Sequence, residues 1–209
     1  MKSLHDVPAP AKLNLFLHIT GRRPDGYHEL QSVFMLIDWC DTLHFEKRPG
    51  GAISREDLTL ALPAQDLITR AAHLLQSHTG CTDGVHIAVE KQIPAQAGMG
   101  GGSSDAATCL LALNRLWGLN LRLPQLEKLG LQLGADVPFF LRGHNAWVEG
   151  VGEKITPIEL PAAQFWVLKP PQGIETSQIF AHPDLKRDTN TATISVFAAE
   201  IYDFGHNDL

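Results

Sequence analysis

The chain has no block of lysine and arginine, and its 17 basic residues are outnumbered by 23 acidic ones, for a formal charge of −6. A general nucleic-acid binder needs a basic stripe to displace counterions from phosphates. That class is set aside, and an anionic ligand has to be met by local groups rather than by a global field. Cysteine is scarce. Cys40, Cys81 and Cys109 are widely spaced and form no Cys-x-x-Cys pair, which argues against a disulfide scaffold and for a reducing, cytoplasmic compartment. No signal-peptide pattern and no apolar run of bilayer-spanning length occurs. The ten histidines are scattered, without a His-Glu-x-x-His, so a metal site built by the protein is not expected. The protein-kinase signatures His-Arg-Asp and Asp-Phe-Gly are missing, as is any internal repeat. What remains is an ordinary globular composition, 44% apolar and 19% charged over 209 residues, enough for one large domain or two small ones around a real core.

Against this background one segment stands out. Pro94-Ala95-Gln96-Ala97-Gly98-Met99-Gly100-Gly101-Gly102-Ser103-Ser104 packs four glycines into five positions and runs into Asp105-Ala106-Ala107 and an apolar helical pattern. A strand-like run, Val85 to Lys91, precedes it. Glycine permits positive φ and lets a ligand approach the main chain. Successive free N–H groups then form an anion-binding concavity, to which the next helix adds its own N-terminal N–H groups and dipole. Strand, glycine loop and helix in that order imply a phosphate cradle. It is not a P-loop, since no lysine lies between Gly98 and Arg115. Nor is it a dinucleotide fingerprint, whose last glycine is replaced by Ser103.

The periodicities predict an α+β domain. Residues 11–20 alternate as a strand, with Leu13, Leu15, Leu17 and Ile19 on one side and Lys12, Asn14, Phe16 and His18 on the other. Pro24-Asp25-Gly26 marks a turn. An apolar stretch from Val33 to Trp39 follows, then strands at 42–46 and 58–62. Asp66 caps a helix to about Ser77 that buries Leu67, Ala71, Leu74 and Leu75 and ends at Gly80. Val85, Ile87 and Val89 form a strand. A helix from Ser103 or Ser104 to Trp117 buries Ala107, Leu110, Leu111 and Leu113. Pro124 opens another, with Leu126, Leu129 and Leu133 inward and Gly134 at its end. Strands are expected at 146–149 and 165–169, a helix at 193–204, and a weak domain boundary near residue 160.

Phosphoryl transfer needs a positioned hydroxyl, a proton acceptor, and cations or N–H groups around the moving phosphoryl. Asp136, in Gly134-Ala135-Asp136-Val137-Pro138-Phe139-Phe140, is either a partly desolvated general base or a turn aspartate bonded to its own backbone. Lys12 is either a functional cation or part of the exposed face of an edge strand. Tyr27 and Phe180 are stacking candidates. Ser103 and Ser104 suit a helix cap, a phosphate contact or a share in holding Mg²⁺.

Three segments together resemble the motif set of the GHMP kinase superfamily: Pro10-Ala11-Lys12-Leu13-Asn14-Leu15, the glycine segment through Ala107, and Leu133-Gly134-Ala135-Asp136-Val137-Pro138. Arg23-Pro24-Asp25-Gly26-Tyr27-His28-Glu29-Leu30, Gly143-His144, residues 149–153 and His206-Asn207-Asp208-Leu209 are similar to members acting on a cytidylated methylerythritol. The resemblance implies a GHMP fold, with an N-terminal domain over residues 1–159 and the start of a C-terminal domain over 160–209. It implies transfer of the γ-phosphoryl of ATP, with Mg²⁺, to the 2-hydroxyl of that alcohol in the non-mevalonate route to isoprenoids. It makes Asp136 the proton acceptor and Lys12 the cation that keeps Asp136 ionised and offsets phosphoryl charge. It assigns the ATP phosphates to Pro94 through Ser104. It assigns the substrate to Asn14, Tyr27, His28 (through its backbone), Asp136, Thr176 and Phe180, the two aromatics sandwiching cytosine. Members of this family continue beyond the His206–Leu209 motif into a third glycine-rich motif, so this chain is expected to keep the family fold over its N-terminal domain while being weak or inactive as a kinase. The alternatives are a GHMP kinase for another small alcohol and a ligand-binding module without turnover.

Overall fold

The structure, a computed structural model, describes residues 1–170 and 176–209, and for residues 176 and 177 the backbone alone. In chain order the elements are β1 (Ser3–Arg22), β2 (His28–Arg48), β3 (Ile53–Asp57), α1 (Leu67–Thr79), β4 (Gly84–Glu90), α2 (Gly101–Leu116), α3 (Leu123–Leu133), α4 (Val137–Arg142), β5 (Ala146–Gly150), β6 (Lys154–Pro157), α5 (Thr176–Ala181) and α6 (Ile194–Ala199). They fall into two compact units. The first comprises residues 1–11, 37–94 and 100–143; the second comprises 12–36, 95–99 and 144–209. The two long strands each contribute one part to either unit.

In the first unit β4 lies between β3, which it meets in parallel, and the C-terminal half of β2, which it meets antiparallel in the register Leu43↔Val89 and Phe45↔Ile87. The alternation of β4 does what the sequence requires: Val85, Ile87 and Val89 are fully buried, as are Leu43 and Phe45 opposite. Helices α1 and α2 pack on each other, α4 packs on α2, and α3 packs on α4. Asp66 caps α1 by accepting the N–H of Thr69 at 2.7 Å, and Gly80 ends it in the left-handed region. The buried face of α1 is Ile68, Ala71, Ala72 and Leu75. It is rotated from the expected one, so Leu67 and Leu74 are only half-buried. The Trp117 indole donates to the Gly84 carbonyl at 3.3 Å, tying the end of α2 to β4.

In the second unit the N-terminal half of β2 pairs antiparallel with β5 (Leu30↔Gly150 to Phe34↔Ala146), and β5 pairs antiparallel with β6. Phe16, Val33, Trp147 and Phe197 form its core, joined by Leu15, Ile158, Leu160, Ala192, Ile201 and Phe204. The chain end is anchored there. The Asp208 carboxylate accepts the N–H of Ile19 at 2.7 Å and the Thr189 hydroxyl at 2.8 Å.

Several expectations need correction. The stretch from Val33 to Trp39 and the strand at 42–46 are parts of one 21-residue strand, β2. Asp41 does not break it, because its fully buried carboxylate finds donors in Lys91, Gln92 and Ile93. Residues 58–62 are not a strand. Asp57 captures the N–H of Leu62, the Arg55 guanidinium holds the carbonyls of Leu62 and Pro63, and Leu58 and Leu60 are exposed. Residues 165–169 join no sheet among the described residues, and Trp166 is 99% exposed. Helix α2 starts at Gly101, inside the glycine run, and leaves Leu111 exposed. Helix α6 stops at Ala199, where Glu200 departs from helical angles (φ −140°, ψ 38°) and turns carry Phe204 onto Phe16. The Lys12, Asn14, Phe16, His18 side of β1 is not an exposed edge: Lys12 is 4% and Phe16 1% exposed.

Phe16 contacts Trp147, Phe197 and Phe204 at ring-centroid distances of 5.4, 5.8 and 5.0 Å. Phe16→Ala is expected to lower folding stability by about 3–5 kcal/mol, read from urea denaturation. A loss below about 1 kcal/mol would show that this cluster does not hold the second unit.

Candidate active site

The glycine segment is an open turn. Gln96, Gly98 and Gly100 all adopt left-handed φ (55°, 69° and 72°) at alternate positions, while Gln96, Gly98 and Gly102 are exposed. Alternating hand of this kind turns successive main-chain N–H groups toward one side. Gly100 is the N-cap of α2 and offers no side chain to the first turn, so the N–H groups that a Ser or Asp cap would have satisfied stay open to a ligand. The Met99 side chain is buried, and its carbonyl accepts the Lys12 N–H at 3.0 Å. Gly101 is also closely packed: a Cβ there would stand 3.1 Å from Ile93 Cγ2. Ser104 is fully buried and its hydroxyl has no partner among the described residues. The Ser103 hydroxyl lies 3.6 Å from where a Cβ on Gly134 would be, two residues before Asp136.

Asp136 is the N-cap residue of α4 but does not cap it with its side chain. Its main-chain carbonyl accepts from Phe139. The carboxylate is half-exposed beside the buried run Val137–Leu141, so the turn is made without it.

Lys12 has been drawn into the interior. Its Nζ donates to Asn14 Oδ1 at 2.6 Å and stands 4.3 Å from the centre of the Phe34 ring. A buried ammonium held by an amide oxygen and an aromatic face is positioned rather than free to swing. Tyr27 is 65% exposed on the turn after β1, its N–H bonded to Asp25. Phe180 packs instead on His28, ring centroids 5.1 Å apart. Thr176 opens α5, and its side chain lies outside the described residues.

Two features escaped sequence reading. Arg187 donates to His28 Nε2 at 3.0 Å and to the carbonyls of Phe180, His182, Pro183 and Leu185. Burial, then the charges of Arg187 and Arg22, hold the His28 imidazole below the usual histidine range, hence neutral. The other is a buried cluster at the base of the glycine segment, in which Lys91 pairs with both Asp41 and Asp105. An aspartate among buried alanines on α2 and a lysine ending an alternating strand were the available signals.

Residues 66–144, which hold the glycine segment and Asp136, match the family model described as the GHMP kinases N terminal domain. The chain is 64% identical over its whole length to the 4-diphosphocytidyl-2-C-methyl-D-erythritol kinase of Variovorax paradoxus (strain S110), covering 76% of that protein. It is 68% identical over its whole length to the kinase of that name from Paracidovorax citrulli (strain AAC00-1), covering 75% of it. A solved 4-(cytidine 5'-diphospho)-2C-methyl-D-erythritol kinase superposes with a TM-score of 0.64 at 42% identity, over 74% of this chain and 55% of that one. The fold is thus the α+β fold of the GHMP kinases. The chain belongs to the 4-diphosphocytidyl-2-C-methyl-D-erythritol kinase family, whose members are kinases of the non-mevalonate route to isoprenoids. It spans about three quarters of the length of these curated relatives and just over half of that solved chain.

Burial pushes Asp105 up to about 7, against the opposing pull of Lys91. Between its ordinary value and 7 the folded chain keeps a proton that the unfolded chain releases, so this group's contribution to stability is present at low pH and lost as pH rises toward 7. Stability measured by urea denaturation from pH 5 to 8 should therefore fall more steeply in the unsubstituted chain than in Asp105→Asn, by up to about 1 kcal/mol per pH unit. Parallel profiles would show that Asp105 stays ionised.

Proposed function

We propose that this chain transfers the γ-phosphoryl of ATP, taken up as the Mg²⁺ complex, to the 2-hydroxyl of 4-diphosphocytidyl-2-C-methyl-D-erythritol. It does so in the cytosol, with residues 1–159 as the N-terminal kinase domain and 160–209 as the opening of the C-terminal one. The observation that carries the reading is the left-handed glycine turn running into an uncapped helix, in a chain 64–68% identical to named kinases of this substrate.

In this reading Pro94, Ala95, Gln96, Ala97, Gly98, Met99, Gly100, Gly101, Gly102, Ser103 and Ser104 cradle the phosphates. The main-chain N–H groups of the glycine turn, apart from Pro94, which has none, and Ser104, whose N–H is held by the Gly100 carbonyl, meet charge that spreads over the phosphoryl oxygens as the bond to the leaving ADP lengthens. Asp136 takes the proton of the 2-hydroxyl while the new P–O bond forms and the bond to the β-phosphate oxygen breaks. Its freedom from capping duty and its place two residues beyond Gly134, which lies beside the Ser103 hydroxyl, support this role. Lys12 supplies positive charge. Its burial against Asn14 and Phe34 suits a fixed electrostatic group. Asn14, Tyr27, His28, Thr176 and Phe180 contact the acceptor. Tyr27 stands ready to stack on a flat base, and a neutral His28 leaves its main chain to read the base edge.

The test is ATP-dependent ADP release with the cytidylated alcohol, compared with mevalonate and homoserine, by this chain and by one extended to the relatives' full length. Turnover restricted to the cytidylated alcohol is expected, weak or absent in this chain and restored in the extended one, and turnover with the other alcohols alone would overturn the reading. In the extended background Asp136→Asn should lower kcat by about 100-fold or more with KM little changed. Tyr27→Ala should raise KM while keeping most of kcat, because stacking acts in ground and transition states alike. Near-normal kcat in Asp136→Asn would remove it as the base.

A further inference from the structure

Lys91 ends the strand side of the glycine segment and Asp105 lies on the first turns of α2 beyond it, and their side chains meet at 2.5 Å. The same ammonium pairs with Asp41, on β2. Asp41 Oδ1 also accepts the main-chain N–H groups of Gln92 (2.5 Å) and Ile93 (2.8 Å), the residues that lead into Pro94. The Thr59 hydroxyl accepts the Lys91 N–H at 2.7 Å and donates to the Lys91 carbonyl. Ile93 in turn sits against Gly101, the first residue of α2. Entry and exit of the segment are therefore joined twice, by an ion cluster and by packing.

We propose that Lys91, Asp41 and Asp105 form a positioning clamp, which holds the two ends of the glycine segment so that the N–H groups from Gly98 to Ser103 stand ready for a nucleotide's phosphates. The inference rests on the phosphate-site reading above. The side chains of Lys91, Asp41 and Asp105 are only 8%, 0% and 3% exposed, so they have no surface to offer a ligand and act through the main chain. Two carboxyl groups and one ammonium out of water are costly to bury and worse to leave unpaired. Removing one partner should therefore loosen what the cluster joins, while a loop that needed only closing could be closed by apolar packing alone. The clamp matters because a phosphate cradle made of glycine has little stiffness of its own.

The test uses Asp105→Asn, which keeps shape and one hydrogen bond, together with Lys91→Met and Lys91→Arg. Amide hydrogen exchange is mapped without nucleotide, and affinities for MgATP and for the cytidylated alcohol are measured by calorimetry. In Asp105→Asn, exchange at Gln92 and Ile93, whose N–H groups Asp41 holds, and at Ser104, whose N–H is bonded to the Gly100 carbonyl, should quicken by about tenfold or more while β4 and α1 keep their protection. MgATP should bind about tenfold more weakly, with the affinity for the alcohol unchanged and Lys91→Arg recovering much of what Lys91→Met loses. Unchanged protection at Gln92, Ile93 and Ser104 in folded Asp105→Asn would overturn the clamp. So would protection lost evenly over the whole first unit, or equal weakening of both ligands, since these mark general destabilisation. Absence of MgATP binding in the unsubstituted chain would instead count against the phosphate reading, and the exchange map alone would then judge the clamp.

Discussion

The ion cluster of Lys91 with Asp41 and Asp105 is the buried interaction that joins the two ends of the glycine segment. A main chain that offers bare N–H groups to a ligand must avoid spending them on itself, and glycine is the residue that permits the required left-handed turns. The same freedom leaves the segment with little intrinsic rigidity. Its geometry has to be imposed from its two ends, and in this chain the ends are tied by buried charge rather than by a side-chain cap. Burying an ammonium with two carboxylates is a poor way to gain stability but a strict way to define an arrangement, because each group tolerates few alternatives once out of water.

A comparable economy governs the second unit. Lys12 could have met water on a strand edge; instead its ammonium is lodged between Asn14 and Phe34, and a reader of β1 finds both faces covered. On the same strand, Phe16 anchors an aromatic cluster that draws α6 and the turn at Phe204 inward. Asp208 pins the end of the chain to Ile19 and Thr189. One strand thus carries, at alternate positions, the proposed catalytic cation and the packing that fixes its height in the sheet. That is how an α+β kinase fold converts hydrophobic burial into the placement of a charge.

What could be read in the chain was local. The glycine segment, the Asp66 cap, the Gly80 stop, Pro124 and the alternation of Val85, Ile87 and Val89 are set by backbone preferences and by periods of 2 and 3.6, which act over a few residues. The motifs around Lys12, Gly98–Ser104 and Asp136, on which the proposed phosphate chemistry rests, were legible for the same reason, being short, fixed runs. The family followed from their combination.

Tertiary structure decided the rest. Whether Asp41 would break β2 depended on donors from residues 91–93, fifty positions away. Whether residues 58–62 would pair depended on Arg55 and Asp57 claiming their main-chain groups. Whether Lys12 faced water depended on what covered its strand. The meeting of Lys91, Asp41 and Asp105 leaves almost no local trace, because an ion pair is specified by the surroundings that exclude water and not by the sequence next to either charge. The chain by itself determined the glycine turn and its helix, through preferences local to the backbone; only the fold determined the buried charges and packing that join the two ends of that turn.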